Sequence, residues 1–76
     1  MILINYLKPN IVIYADKLIS GDLTIYNEYE QRIMQQEIVS QSIINILIGI
    51  NMGTKIKVIL KTDKQFIQKT FTINNN

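Results

Sequence analysis

Residues 10–19 read NIVIYADKLI, and they decide whether the chain continues with a helix or with a strand after its first few residues. Five apolar residues have the spacing i, i+1, i+4, i+7 and i+8 of one helix face: Ile11, Val12, Ala15, Leu18 and Ile19. Pro9 precedes this stretch and Gly21 follows it, which is typical of a helix start and stop. The spacing predicts a helix over residues 10–19, although the β-prone run at 11–14 would also suit a strand.

Short β-prone segments flank this stretch on both sides. An apolar run predicts a first strand over residues 2–6, which ends before the Lys-Pro pair because proline cannot donate to a strand ladder. Alternation of polar and apolar residues predicts a second strand over residues 22–26. The polar residues 27–32 suit a hairpin tip. Residues 33–39 suit the returning strand, although the Gln and Glu residues at their centre would also fit a helix.

The rest of the chain predicts a second helix and two more strands. Ser40 is a candidate N-cap for that helix, and Gly53 is its candidate stop. The helix would turn four apolar residues inward: Ile43, Ile44, Leu47 and either Ile48 or Ile50. Residues 55–61 alternate as a strand, residues 65–73 fit a strand better than a helix, and the tail at 74–76 is expected to fray.

Together these elements predict a single α+β domain over residues 1–76. Its order is β-α-β-β-α-β plus a short C-terminal element, a small open-faced sandwich with two helices on one face of a mostly antiparallel sheet. The helices are expected to pack through Ile43, Ile44 and Leu47 beside Ile11, Ala15 and Leu18. The other sheet face is left open for a partner, and its candidate residues are Ile25, Ile33, Ile56, Val58 and Phe71.

The composition excludes several kinds of chemistry. The chain has no cysteine and no histidine, so it can form neither a Cys/His zinc site nor a disulfide, and it offers no thiol nucleophile or imidazole base. Its acidic residues show no paired-carboxylate motif. We therefore expect no catalytic residue, no metal and no cofactor, and neither an enzyme nor a protein with a small-molecule substrate.

Charge and hydropathy narrow the expected partners and location. The net charge of +2 is too small for a protein that gains its affinity by neutralising many phosphates, although RNA stays possible. The apolar run at 43–50 is too short to span a bilayer, which needs about 20 residues. The first residues lack the basic n-region of a secretory signal, so a cytoplasmic protein is expected. The abundance of Ile and Asn indicates an AT-rich genome, and the location would be an organelle matrix or stroma if an organelle encodes the protein.

Two segments carry a family resemblance. Residues 38–58 have a Ser-Ile-Ile start, a Gly near the end of the predicted helix and a Gly-Thr-Lys-Ile-Lys-Val entry to the next strand. Residues 15–25 read ADKLISGDLTI, and Leu-Lys-Pro at 7–9 falls where an Ala-Arg-Pro motif would stand. These features resemble HPr, the small phosphocarrier of the bacterial sugar phosphotransferase system.

The resemblance implies a binding scaffold without phosphotransfer. In that family the phosphoryl-accepting histidine precedes Ala-Arg-Pro, and this chain has Tyr6 there, followed by Lys8 in place of the arginine. Ser42 falls where many HPr proteins carry a regulatory serine. Family members without the histidine act as binding-only regulators, so the resemblance implies the same for this chain.

The expected function is a non-catalytic protein–protein interaction or regulatory module. The alternative is a small structural subunit of a larger ribosomal or organellar assembly, which could contact RNA through a stripe of lysines. A protein partner fits both. The candidate partner-binding residues lie on the second predicted helix and the strand after it: Ser42, Ile46, Lys55, Lys57 and Lys61.

Overall fold

The computed structural model describes residues 1–48 and 55–73 of the chain. These residues form five β-strands: β1 (Ile2–Leu7), β2 (Asn10–Asn27), β3 (Arg32–Leu47), β4 (Lys55–Thr62) and β5 (Phe66–Thr72). No helix occurs within these two described ranges. The predicted α+β class is therefore wrong, and the fold is an antiparallel, all-β sheet.

The predicted first helix is part of the long strand β2. Ile11, Ile13 and Ala15 are buried, while Tyr14 between the last two is exposed, so the side chains alternate with a period of two. The outward residues Val12 and Tyr14 are also apolar, so the sequence does not show the alternation of inward and outward side chains. The helical spacing therefore led to a wrong prediction. Leu18, which the helix would have buried, is 69% exposed.

The predicted second helix is the C-terminal part of β3. Ile44 and Ile46 point into the core, whereas Ile43 and Leu47 are exposed, so the expected inward positions of Ile43 and Leu47 are wrong. The isoleucines decide this segment, because β-branched side chains favour strands. Ser40 caps no helix in the structure. The proposed stop at Gly53, the alternative inward residue Ile50 and the tail at 74–76 lie outside the described residues.

The strand predictions outside these segments are confirmed. Those for residues 2–6, 55–61 and 65–73 match β1, β4 and β5 to within one residue at each end, and those for 22–26 and 33–39 lie inside the longer strands β2 and β3. The hairpin tip is also where it was expected, between β2 and β3. Asn27 organises this tip, because its Oδ1 accepts hydrogen bonds from the backbone N–H groups of Tyr29 and Gln31.

β2 is the central strand of the sheet. Its N-terminal half pairs with β1, its C-terminal half pairs with β4, and β3 runs antiparallel along its other side. β5 continues the sheet beyond β4. Register shifts in the β2–β3 pairing between Tyr14 and Gly21 mark the place where the long hairpin bends, and the sheet curls into a half-barrel.

Close contacts between the strands mark this bend. Ser40 has a φ of 48°, in the left-handed region, and its backbone N–H donates to Ser20 Oγ over 3.0 Å. Gly21 pairs with Ile38 on one side and with Thr62 on the other. A Cβ atom on Gly21 would overlap the carbonyl oxygen of Lys61, so only glycine lets the two strands approach this closely.

The concave side of the half-barrel holds the core. Every strand contributes to it, although β5 does so only through the partly buried Ile67 and Phe71. The fully buried side chains come from β2, β3 and β4: Ile11, Ile13, Leu23, Ile25, Ile38, Ile56, Val58 and Leu60. The residues predicted to form an open sheet face, Ile25, Ile33, Ile56, Val58 and Phe71, therefore line or pack against this core instead, because the sheet curls around them.

The outer edges of β1 and β5 face each other across a seam. Lys69 of β5 donates from Nζ to the backbone carbonyl of Ile4 in β1 over 2.9 Å. The rings of Tyr6 and Phe71 also meet across the seam, with centroids 6.2 Å apart. The seam thus joins the two edges through side chains.

Candidate functional site

The outer surface of the N-terminal half of the sheet is apolar. The pairing of β1, β2 and β3 aligns Leu3, Tyr14 and Ile43 in one row across the three strands. Their side chains point away from the core and are 44%, 51% and 59% exposed. Residues directly opposite each other in adjacent strands have Cβ atoms about 4.5–5.5 Å apart, so the three side chains form one continuous surface.

Two more rows extend this surface. The next outward row is Asn5, Val12 and Asn45, and the one after it is Leu7, Asn10 and Leu47. None of the nine residues in the three rows is charged. We call the six apolar members the apolar face: Leu3, Leu7, Val12, Tyr14, Ile43 and Leu47.

The other half of the outer surface has a different composition. The same two long strands continue there and pair with β4, which again aligns nine outward residues in three rows. Five of these nine are charged: Asp22, Arg32, Glu37, Lys57 and Lys61. One continuous hairpin therefore presents an uncharged surface at one end and a charged surface at the other. A general abundance of isoleucine in the chain would not produce this difference between the two ends.

The predicted partner-binding residues on β3 do not form a site together. Ile46 is 3% exposed and belongs to the core, so its side chain offers no surface to a partner. Ser42 is half-buried within the strand, two residues after Ser40. It is not at a helix N-terminus, so no helix dipole would favour a phosphate at this position.

The three predicted lysines do lie on one strand face. Lys55, Lys57 and Lys61 all point outward from β4, as their spacing predicted. Lys57 is already engaged, because its Nζ lies 2.7 Å from Glu30 Oε2 and 5.6 Å from the centre of the Tyr26 ring. Lys61 lies opposite Asp22 in the neighbouring strand. Nearby acidic groups thus weaken the positive field of this stripe, and RNA binding stays a prediction.

A groove of about 690 Å³ opens beside the bend of the hairpin. Charges of both signs line it: Asp16, Lys17, Asp63 and Lys64. The amino group of Met1 donates a hydrogen bond of 2.8 Å to Asp16 Oδ1, and this contact holds the pKa of Asp16 below its usual value. With no predominant charge, the groove favours no particular class of ligand.

Residues 1–48 and 55–73 contain neither a cluster of metal ligands nor a membrane-spanning helix. No group of three acidic, histidine or cysteine residues could hold a metal ion there. No helix in this part of the chain is long and apolar enough to cross a membrane. Comparison of the chain with protein-family models, curated proteins and solved structures finds no match. The HPr resemblance therefore stays a prediction.

The apolar face was not predicted from the sequence. Tyr14 and Ile43 were assigned to helices, and Leu3 was treated only as part of a strand. A usable signal was present, because apolar residues occupy consecutive positions at 11–14 and 43–44, and a strand with such a run must turn some of them outward. The run predicts an outward apolar surface only where the segment is known to be a strand, and the helical spacing of residues 10–19 indicated a helix instead.

Proposed function

We propose that this chain is a protein-binding module that uses the apolar face to engage its partner and does not catalyse a reaction. The observation that carries the proposal is the uncharged surface at one end of the β2–β3 hairpin beside the charged surface at the other. Contiguous exposed apolar patches on small proteins mark interaction sites.

The arrangement of the face suits a protein partner. Tyr14 lies at the centre of its row, between Leu3 and Ile43. Tyrosine is enriched among residues that dominate binding energy, because a large ring and a hydroxyl group supply both apolar contact and a hydrogen bond. Each Å² of apolar surface removed from water contributes about 25 cal/mol, so covering these side chains favours binding. Asn5 and Asn45 flank Val12 and supply polar contacts within the same face.

Site-specific photo-crosslinking tests this proposal. A photoreactive phenylalanine analogue at Tyr14, in cells that make the protein, is expected to give a crosslinked product heavier than two copies of the chain. The same analogue at Thr24, an outward position of β2 in the charged half, is the matched control and should not give that product. The crosslinked protein is then identified by mass spectrometry.

A second pair of variants tests the same surface on β3. Ile43→Lys should abolish the Tyr14 crosslink, because it places a charge beside Tyr14. Gln35→Lys makes the same change at an outward position in the charged half and should leave it intact. Equal crosslinking at residues 14 and 24, or a crosslink that survives Ile43→Lys, would rule out the apolar face as the binding surface.

A further inference from the structure

β3 has a free edge in the described part of the chain. It pairs with β2 along one side, and no described strand pairs with its other side. The strand has 16 residues, whereas most strands have about 3–10. Its edge therefore presents a long row of unpaired backbone donors and acceptors, which can template pairing with another strand.

The other two edges are protected. Lys69 points inward on β5, opposite the buried Val58, and reaches across the seam to Ile4. An inward-pointing charge on an edge strand is one of the devices by which proteins prevent edge-to-edge pairing. The C-terminal half of β3 has no such device, because residues 38–48 contain neither a charged residue nor a proline.

The sequence of this half-strand is complementary to itself. In an antiparallel pair, two residues face each other on the same side of the sheet only if their positions have the same parity. Any two-fold axis through a residue meets this condition, and an axis at Asn45 also pairs apolar residues with apolar residues. It sets Ile43 opposite Leu47 on the outer face and Ile44 opposite Ile46 on the core face, and each Asn45 faces its counterpart.

We infer that two copies of this chain pair through their β3 edges, antiparallel, with the two-fold axis at Asn45. This inference goes beyond the proposed function, because it concerns a strand edge and a second copy of the chain, whereas the apolar face binds another protein. The pairing adds backbone hydrogen bonds and partly covers Ile43 and Leu47, which are 59% and 70% exposed in the single chain. The two Asn45 side chains can bond to each other, since each amide both donates and accepts.

The pairing joins the two apolar faces. A two-fold axis perpendicular to the sheet keeps both outer faces on the same side, so the strand order becomes β1-β2-β3-β3-β2-β1. Leu3, Tyr14 and Ile43 of one copy then continue into Leu47, Asn10 and Leu7 of the other. The result is a single surface, twice as wide, for the partner that the apolar face binds.

A charge introduced at position 45 tests the inference. Sedimentation equilibrium of the wild-type chain should give the mass of two chains of 8.8 kDa. Asn45→Lys brings two like charges together at the axis and should reduce the mass to that of one chain. Asn5→Lys is the matched control, because Asn5 lies in the same outward row but two strands away from the edge, and this variant should stay dimeric.

A cysteine variant gives a second measurement that does not depend on a destabilising charge. The chain has no cysteine, so Asn45→Cys carries a single thiol. At the axis the two thiols are close enough to oxidise to a disulfide-linked dimer, whereas Asn5→Cys should form no disulfide between the two chains. If circular dichroism shows that Asn45→Lys is unfolded, the comparison of Asn45→Cys with Asn5→Cys tests the inference in its place.

Three results would overturn the inference. They are a single-chain mass for the wild type at every soluble concentration, equal effects of the two lysine variants, and equal oxidation of the two cysteine variants. Leu3→Lys separates the inference from the proposed function, because it changes the apolar face far from the edge. It should abolish the partner crosslink and leave the dimer intact.

Discussion

Leu23→Ala is expected to lower the free energy of unfolding by about 2–5 kcal/mol. Leu23 is fully buried in the core, and its truncation removes apolar contacts and leaves a cavity. A chain of this length has a total stability of about 4–11 kcal/mol, so the variant loses a large share of it. Denaturant unfolding followed by circular dichroism measures the change.

Leu18→Ala is the matched control on the same strand. Leu18 is 69% exposed, and its truncation should change the stability by less than about 0.5 kcal/mol. The comparison also separates the two interpretations of residues 10–19, because the helical spacing places Leu18 in the core. A loss at Leu18 as large as that at Leu23 would contradict the strand and restore the helix.

Gly21→Ala is expected to destabilise the fold by about 3 kcal/mol, at the upper end of the usual cost of overpacking. The added Cβ would overlap the Lys61 carbonyl oxygen and lie 3.0 Å from the Thr62 Cα. Both are backbone atoms, so no side-chain rotation relieves the clash and β2 and β4 must separate at this point. Thermal and denaturant unfolding measure the loss, and faster amide exchange in the adjoining part of β4 locates it.

The control for this prediction is Asp22→Ala. Asp22 is the next residue in β2, and its side chain points outward and is exposed. Its replacement should change the stability by less than about 0.5 kcal/mol. If Gly21→Ala and Asp22→Ala unfold at the same denaturant concentration, β2 and β4 do not approach as closely as the structure shows.

The sequence predicts the strands whose two faces differ. Residues 55–61 alternate Lys with Ile, Val and Leu, and they form β4 with the three lysines outward. Residues 22–26 alternate in the same way and fall within β2. In both segments the charged or polar face identifies the period directly, so local pattern is sufficient.

The segments predicted wrongly are those with apolar residues on both faces. At 11–14 and 43–48 the inward residues form a period of two, but outward residues such as Tyr14, Ile43 and Leu47 add a second apolar set. The combined set matches the spacing of a helix face. Which set is buried depends on how the sheet curls, and that is decided by pairings between residues far apart in the sequence.

The candidate site was unpredictable for the same reason. The apolar face unites residues of three strands, and its central row joins positions 3, 14 and 43. Their proximity follows from the β1–β2 and β2–β3 registers, which the predicted helices excluded. The lysine stripe was predictable because it lies within one strand, whereas the ion pair of Lys57 with Glu30 depends on a contact between β4 and the hairpin tip.

The most direct test of the account is a solution NMR measurement of the contacts around Tyr14. The structure predicts nuclear Overhauser effects from the Tyr14 ring to the methyl groups of both Leu3 and Ile43, because the three side chains are neighbours in one row. Strong sequential amide–amide effects through residues 10–19, with none from Tyr14 to Leu3 or Ile43, would instead show a helix. That result would contradict both the sheet at residues 10–19 and the apolar face built on it.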